Sequence, residues 1–406
     1  MHSIRLSCLL VAAACLIAAG GWPARAGDWP QWRGPNRDAS SPEVPAQLPA
    51  RKLLWKQPLA GETHAGVVVA GEYVVVPDHG AGVDHLRCFN AEDGKPLWTH
   101  SVPNKAEMDF GAAPRATPLI HEGTVIALSA VGNLTCLELA SGKVLWQLNL
   151  PKAFGAKVPT WGYCGSPLIA AGRLIVNPGA PTAALVGLDP KTGAVAWKSP
   201  GKPAAYGSFI SGTFGGVEQV VGCEEGMVAG WDPATGKRLW QLKPDNQNDY
   251  MVSTPLNLDG RLLLSTDGNY TRLYGFAADG KLNAKPLATS DELGPDTATP
   301  VAINGLVFGP CYGLTCLDVS QGLKLRWRNE EEEALTGFFT AITGNDRLMV
   351  FTESGTLFLV AAEAAGSRLL GRMPLCKKTW SHPALANGRL YIRDSAALYC
   401  YDFRGS

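Results

Sequence analysis

The chain has 406 residues, with 36 basic and 36 acidic side chains, so its formal net charge at pH 7 is zero. A balanced charge without a long basic stretch excludes the electrostatic footprint of a nucleic-acid binder. Glycine (46 residues) and proline (29 residues) are abundant and long helical patterns are few, which favours an all-β chain.

The first 26 residues are predicted to be a secretion signal. Arg5 supplies a cationic start, residues 6–20 form an uncharged apolar run, and Ala24-Arg25-Ala26 offers a small-x-small cleavage site. The run is too short to span a bilayer comfortably, and no later segment is apolar enough to do so. We therefore expect a periplasmic or secreted protein, cleaved near Ala26 and without a transmembrane segment. A lipid anchor at Cys15 is less favoured, because Ala12-Ala13-Ala14 lacks the larger aliphatic residue that such sites usually carry.

One sequence phrase recurs along the rest of the chain. A small residue is followed by an apolar residue, usually an acid, a turn with glycine, and a tryptophan about four residues after that glycine. Together with Trp55, these tryptophans recur at spacings of about 43 to 51 residues, with one copy lost. The copies are Cys88–Trp98, Cys136–Trp146, Gly187–Trp197, Gly230–Trp240, the looser Cys316–Trp327, and the worn Gly275–Leu287 and Val360–Leu375.

A second phrase precedes each copy: Ser or Thr, usually Pro, an apolar strand and a glycine turn. The clear examples are Thr117-Pro118, Ser166-Pro167, Thr254-Pro255, Thr299-Pro300 and, with histidine first, His382-Pro383. Each unit therefore contains four short predicted strands, which is the blade of a β-propeller.

Counting the units predicts an all-β, eight-bladed β-propeller of four-stranded antiparallel blades. The eighth unit ends after its third strand, whereas Leu53–Pro58 is a strand without a blade. We expect this N-terminal strand to complete the last blade, which leaves no sheet edge for aggregation. The predicted organisation is a signal peptide at 1–26, an N-terminal extension at 27–52 and one propeller at 53–406. The predicted blades lie near 64–100, 114–150, 161–198, 206–243, 250–288, 297–328, 337–371 and 379–403.

Two residue types follow the same register. Each repeat tryptophan is predicted to lie in the groove against the next blade, with its N–H on a backbone carbonyl. Cysteine and glycine alternate in one slot of the third strand, which predicts small, buried, unpaired thiols. Cys311 and Cys316 flank one hairpin, and a disulfide between them is left open. The slot holds Cys88, Cys136, Cys316 and Cys400 in four blades and Gly187, Gly230 and Gly275 in three others.

The phrase at Asp189–Trp197 and Asp232–Trp240 resembles the PQQ-like propeller repeat. That repeat is shared by quinoprotein alcohol dehydrogenases and by the propeller lipoprotein of the outer-membrane β-barrel assembly machinery. The opening Asp28–Glu43 resembles the leader of exported bacterial PQQ-like propellers. The resemblance covers almost the whole mature chain and implies the fold, but the fold carries many functions.

The resemblance also implies what a quinone cofactor would need. In quinoprotein dehydrogenases, PQQ lies between a tryptophan and a disulfide of two consecutive cysteines, beside a Ca²⁺ held by Glu, Asn and Asp. This chain has no Cys-Cys dipeptide and no CxxCH haem motif. No cofactor is therefore expected, and PQQ with Ca²⁺ is kept as the alternative.

The start of each first strand is predicted to line a central funnel. An aromatic ring around a polar funnel suits a sugar, an aromatic ligand or a peptide. The alternative is that these rings only pack the top of the channel. The candidate funnel residues are Arg115, Tyr163, Tyr206, Tyr250, Phe338 and Trp380.

Four histidines are expected in the sector where blade 8 meets blade 1. His64, His79, His85 and His382 form a candidate metal site, with Asp78 and Asp84 as further ligands or supports. The alternative is that they are solvated loop histidines, because their spacing matches no tight ligand motif.

Two functions remain in competition. The favoured one is a monomeric, non-catalytic binding or scaffolding propeller outside the cytoplasm, which meets a protein or polysaccharide partner through its loop-rich face. The alternative is an enzyme that uses the axial funnel, such as an atypical PQQ-dependent oxidoreductase. The missing Cys-Cys pair and the lack of a nucleophile motif favour the first.

Overall fold

The structure is a computed structural model that describes residues 27–61 and 63–404. The predicted signal peptide, its cleavage site and Cys15 lie outside the described residues. Of the helices within the described residues, none has the length and apolar character needed to cross a bilayer.

Eight antiparallel sheets of four strands form the ring, which confirms the predicted eight-bladed propeller. The short, β-rich runs between turns become the strands, because most of the hairpin turns hold a glycine at a positive φ. Blades 1 and 2 contain β2 (Val68–Ala70), β3 (Tyr73–Gly80), β4 (Val83–Asn90) and β5 (Pro96–Pro103), then β6 (Leu119–His121), β7 (Thr124–Leu128), β8 (Asn133–Glu138) and β9 (Val144–Asn149). Blades 3 and 4 contain β10 (Leu168–Ala170), β11 (Arg173–Val176), β12 (Leu185–Leu188) and β13 (Val195–Ser199), then β14 (Ile210–Phe214), β15 (Val217–Glu224), β16 (Met227–Trp231) and β17 (Arg238–Leu242).

The second half repeats the pattern. Blades 5 and 6 contain β18 (Leu256–Leu258), β19 (Arg261–Thr266), β20 (Tyr270–Tyr274) and β21 (Ala288–Ser290), then β22 (Val301–Ile303), β23 (Leu306–Pro310), β24 (Leu314–Asp318) and β25 (Lys324–Asn329). Blade 7 contains β26 (Phe339–Gly344), β27 (Arg347–Thr352), β28 (Thr356–Ala361) and β29 (Leu369–Pro374). Two short helices lie between blades: α1 (Leu150–Phe154) and a 3₁₀ turn (Glu333–Leu335).

Blade 8 takes its outer strand from the start of the chain. Its sheet order is β1 (Leu53–Pro58), β32 (Ala397–Asp402), β31 (Arg389–Arg393) and β30 (Ala384–Ala386), which confirms the predicted closure. The fully buried Asp78 of blade 1 fixes the end of β1, because its carboxylate accepts the N–H groups of Ala60 (2.6 Å) and Gly61 (3.1 Å). The ring is thus closed by a strand pair and by a buried carboxylate.

The repeat tryptophans join each blade to the next, as predicted. Four of the six rings, those of Trp55, Trp98, Trp146 and Trp197, also cover the turn glycine of the next blade; Trp98, for example, covers Gly142. Trp240 reaches blade 5 through a relay, since it donates to Gln219 (2.6 Å), which in turn donates to the carbonyl of Gly280 (2.7 Å). The direct bonds are Trp55 to Ala91 (3.2 Å), Trp98 to Leu139 (2.7 Å), Trp146 to Pro190 (3.0 Å), Trp197 to Pro233 (3.0 Å) and Trp327 to Glu363 (2.8 Å).

The cysteine and glycine slot lies directly opposite these tryptophans on the neighbouring strand. Cys88 pairs with Trp98, and Gly187 pairs with Trp197. Only a small residue fits, because the indole lies across the slot. All eight cysteines of the described residues are free, including Cys311 and Cys316, so the disulfide left open by the sequence is not formed.

The N-terminal extension crosses the central channel. Its arginines reach blades on opposite sides: Arg33 donates to the carbonyl of Pro300 in blade 6 (2.7 Å) and Arg37 to that of Pro167 in blade 3 (2.9 Å). Its backbone forms bridges with the first strands of blades 1 and 7. Both arginine side chains are buried, so the extension is an integral part of the channel wall.

Candidate functional site

A cavity of about 340 Å³ opens at one end of the channel. We call it the cup, and we call its end of the ring the cup face; this face carries the connections between blades and between second and third strands. Repeat register builds the cup wall, because equivalent positions on eight first strands point at the axis. The position of the mark carries Ser or Thr in six blades, Gly66 in blade 1 and His382 in blade 8. Every blade contributes the residue two positions before it: His64, Arg115, Cys164, Tyr206, Val252, Thr297, Phe338 and Trp380.

The structure brings five of the six predicted funnel residues to this cup and corrects the sixth. Tyr163 stands three positions before Ser166, and Cys164 takes the cup position instead. Adjacent residues of an extended chain point in opposite directions, so a shift of one residue turns the side chain away. The Tyr163 ring is 3 % exposed and its hydroxyl donates to the carbonyl of Pro178 (3.0 Å). Tyr163 is therefore a core residue.

Two aromatic walls face each other across the cup. On one side, Trp161 contacts Tyr206 (ring centroids 4.9 Å apart) and Tyr250 (4.6 Å). On the other side, Phe338 and Trp380 are stacked, with centroids 5.0 Å apart and planes inclined by 17°. The sequence analysis missed Trp161, although this residue lies only two positions before the chosen Tyr163.

Arg115 reaches the cup, but its guanidinium is bonded to the loop that precedes it. In the structure, its Nη2 donates to the carbonyls of Asp109 (3.0 Å) and Gly111 (2.9 Å), and its Nη1 donates to that of Ala113 (3.0 Å). Burial lowers the pKa of Arg115 below its usual value. Arg115 therefore holds the loop that presents Phe110, a 75 % exposed ring on the cup rim.

The floor of the cup comes from the extension. The Trp32 ring lies 4.1 Å from the imidazole of His382, and its Nε1 donates to the hydroxyl of Thr254 (3.2 Å). His382 is bonded through Nδ1 to the hydroxyl of Thr340 (2.8 Å). Burial, with a smaller contribution from the charge of Arg33, lowers the pKa of His382 to about 3. The floor is therefore neutral and partly aromatic at physiological pH.

The Ser/Thr mark itself has a structural role around the channel. In blades 2 to 6 the hydroxyl accepts the backbone N–H of the equivalent residue in the preceding blade, so blades 1 to 6 are linked beneath the cup. The bonds are Gly66 to Thr117 (2.9 Å), Thr117 to Ser166 (3.0 Å), Ser166 to Ser208 (3.0 Å), Ser208 to Thr254 (3.2 Å) and Thr254 to Thr299 (3.0 Å).

The four candidate metal ligands do not come together. His64 and His382 line the cup, whereas His79 and His85 lie on the β3–β4 hairpin. The two hairpin histidines occupy neighbouring rungs of the ladder, opposite Asp84 and Asp78, so they face opposite sides of the sheet. His79 bonds to Asp84 (2.7 Å), and His85 bonds to a serine hydroxyl of β5 (2.8 Å). Within 27–61 and 63–404, no group of three or more His, Cys, Asp or Glu could hold a metal ion.

The cup residues do not fit the quinone site that the resemblance implies. Cys164 is the one cysteine of the cup lining in the described chain, so the disulfide face cannot form there. The calcium position has no cluster of carboxylate ligands among these residues either. What the cup offers instead is aromatic surface, a neutral floor, a few hydroxyl groups and the side chains of Arg115 and Asp296.

The fold and the cup define a PQQ-like repeat propeller with an aromatic axial site. A family model described as outer membrane protein assembly factor BamB matches residues 49–158 and 84–322, and the chain belongs to this family. It is 24 % identical over 332 residues to BamB of Yersinia pestis, covering 76 % of both chains. It is 30 % identical over 213 residues to the quinohemoprotein alcohol dehydrogenase ADH IIB of Pseudomonas putida, covering 47 % of this chain and 30 % of that one.

Solved structures show the same fold. The structure of BamB from Moraxella catarrhalis has a TM-score of 0.63 at 14 % identity, covering 88 % of this chain and 99 % of the other. A europium-containing methanol dehydrogenase has a TM-score of 0.68 at 13 % identity, covering 92 % and 91 %. At such identities the likeness establishes the architecture alone.

Proposed function

We propose that this chain is an exported, non-catalytic propeller that binds or scaffolds a protein partner through its cup face. The observation that carries the proposal is the concentration of aromatic surface on that face. Among the described residues, all four aromatic side chains classed as exposed lie at its connections: Phe110, Tyr250, Tyr270 and Tyr312. Solvent-exposed aromatic rings around a pocket are typical anchors of protein interfaces.

Family membership supports a protein partner in an exported compartment, since the relatives are named for assembly of outer membrane proteins. The cup, at about 340 Å³, suits an apolar or aromatic side chain of that partner better than a polymer chain. A polysaccharide partner has no comparable support. We place the protein in the periplasm or outside the cell, with the predicted signal removed.

The chemistry of the cup supports a binding role rather than catalysis. Burial raises the pKa of the Cys164 thiol to about 12, so the thiolate nucleophile is scarce at neutral pH. His382, with a pKa of about 3, is a weak base there. The guanidinium of Arg115 is already bonded to loop carbonyls.

Site-specific photocross-linking tests the proposal. A benzophenone amino acid at Tyr250 (61 % exposed, on the cup rim) should cross-link to a defined protein in the exported compartment of the native cell. Leu145 is the control, because it is 47 % exposed on the outer strand β9, away from the cup face. Phe110→Ala with Trp380→Ala should abolish the Tyr250 cross-link. Equal labelling from both positions, or no adduct at Tyr250, would contradict the proposal.

The quinoprotein alternative is favoured by one observation, the 30 % identity to a quinohemoprotein dehydrogenase over part of the chain. To test this alternative, the protein is purified from exported material in the presence of PQQ and Ca²⁺. We expect no quinone absorption band after gel filtration and no dye-linked alcohol oxidation. A retained band together with activity would establish the alternative.

A further inference from the structure

The first strand of each blade has an unpaired edge along the channel. The first and second strands of each blade form a hairpin whose last residue pair lies next to the turn. On the first strand, the residue just before this last pair directs its backbone N–H and C=O towards the axis, and we call it the inner-edge residue. The extension pairs with this residue in three blades. The bonds are Val69 with Trp29 (2.9 and 2.8 Å), Ile120 with Pro30 (2.8 Å), and Thr343 with Ala39 and Ser41 (2.8 Å each).

The extension shows how a peptide can bond two neighbouring blades at once. Trp29 bonds blade 1 and the next residue, Pro30, bonds blade 2. Successive peptide groups of an extended segment point in opposite directions, so one segment reaches both edges. The three paired inner-edge residues Val69, Ile120 and Thr343 are all buried.

The inner-edge residues of blades 3, 4, 5, 6 and 8 lack this pairing in the described chain, and the cavity described below is lined by residues of blades 4, 5 and 6. In these three blades the inner-edge residues are Thr213, Asn257 and Ala302, each preceding a two-residue hairpin. None of the three bonds to the backbone of the extension in the described chain. Thr213 and Asn257 are exposed, and Ala302 is half-buried. An unpaired strand edge with both donors and acceptors is a template for another strand.

A cavity of about 490 Å³ lies against these edges, at the end of the channel away from the cup. Asn257 and Ala302 line it on one side and residues 36–38 of the extension on the other. Its floor is apolar, with Ile210, Leu256 and Leu306. The size falls within the roughly 300–1,000 Å³ of typical ligand pockets. We call this cavity the edge groove.

The charges around the edge groove cancel. Two arginines, Arg37 and Arg261, and two aspartates, Asp38 and Asp259, line the groove, so their formal charges sum to zero. An uncharged occupant is therefore favoured over an acidic or a basic one.

We propose that the edge groove binds an extended, uncharged peptide segment of a partner protein by strand addition. Backbone bonds to Asn257 of β18 and Ala302 of β22 hold the segment, as the extension is held between blades 1 and 2. Apolar side chains of the segment lie on the groove floor. Main-chain pairing supplies affinity in this mode, and alternate side chains supply specificity. The site is independent of the cup and gives a scaffold a second attachment point.

A labelled, acetylated and amidated hexapeptide of alternating threonine and valine is the probe, measured by fluorescence anisotropy against the full chain. Ala302→Pro removes the N–H that faces the channel and leaves the ladder to β23 intact. We expect it to weaken binding by about five-fold or more, the effect of losing one backbone hydrogen bond together with steric exclusion. Ala302→Ser, which keeps the backbone N–H at the same position, should change binding by less than about two-fold.

Three comparisons make the test decisive. Versions of the probe with aspartate or lysine in place of threonine should bind more weakly, and an N-methylated version should not bind. Tyr250→Ala should leave binding unchanged, which separates this site from the cup. The melting temperature of Ala302→Pro shows that the ring is intact. Three results would overturn the proposal. The probe does not bind, N-methylation has no effect on its binding, or the occupant of the edge is a second copy of the chain, in which case the chain self-associates and Ala302→Pro abolishes that self-association.

Discussion

The closing strand should be as important to the stability of the ring as any internal strand, and Trp55→Ala tests this. Trp55 is 8 % exposed, lies against Gly94 of blade 1 and contacts Tyr391 at a centroid distance of 5.8 Å. Replacing a buried tryptophan by alanine costs about 3–5 kcal/mol. The carbonyl of Ala91, which accepts the indole N–H, adds little, because Arg389 also donates to it (2.7 Å).

Trp197→Ala is the matched control within an unbroken blade. Trp197 is also 8 % exposed and donates its N–H to the carbonyl of Pro233. Urea unfolding followed by far-ultraviolet circular dichroism should give similar losses in the free energy of unfolding for the two variants, each in one transition. A loss below about 1 kcal/mol for Trp55→Ala, beside several for Trp197→Ala, would refute a cooperative closure. A chain truncated to begin at residue 59, which lacks the closing strand, is expected to unfold more easily than the intact chain. Equal stability of the two would also refute the cooperative closure.

Three further outcomes are expected. Gly142→Ala should lower the free energy of unfolding by about 1–3 kcal/mol in the same assay, because Gly142 has φ 70° and an added Cβ would lie 2.6 Å from the Trp98 ring. Gln219→Leu should lower it by about 1–3 kcal/mol, since the indole N–H of Trp240 loses its buried acceptor. Burial lowers the pKa of His382 to about 3 in the folded chain, so its neutral form favours folding at pH above 6.5. The stability of the chain relative to His382→Asn should therefore fall as the pH drops from 6.5 towards 3. An NMR titration of His382 with a midpoint near 6.5 would contradict this prediction.

Much of the fold could be predicted because the signals are local. The tryptophan phrase places each outer strand, and the Ser/Thr mark places each inner one, so blade count and closure follow from spacing. The cup was predicted less well. One residue of each blade, two positions before the mark, lines the cup, but Tyr163 was chosen one residue away from Cys164, which takes that position in blade 3. In extended chain an error of one residue moves a side chain to the opposite side.

The metal hypothesis illustrates a second limit. His79 and His85 are close in sequence and in the same hairpin, which suggested a cluster. Their ladder partners are Asp84 and Asp78, on neighbouring rungs, and the sheet separates the two rings. The pairing of the two strands places the two imidazoles on opposite sides of the sheet, so they cannot share a metal ion. The sequence alone does not determine that pairing.

The sequence by itself determined the repeat, the eight blades and the strand that closes them, because each depends on residues within one blade or on a missing fourth strand. Only the tertiary structure decided the path of the extension, the floor of the cup and the edge groove. The extension has no repeat to align, and its contacts join residues far apart in the chain, such as Arg33 with Pro300. Buried polar groups need hydrogen-bond partners, and in the channel those partners are supplied by distant blades and not by the local sequence.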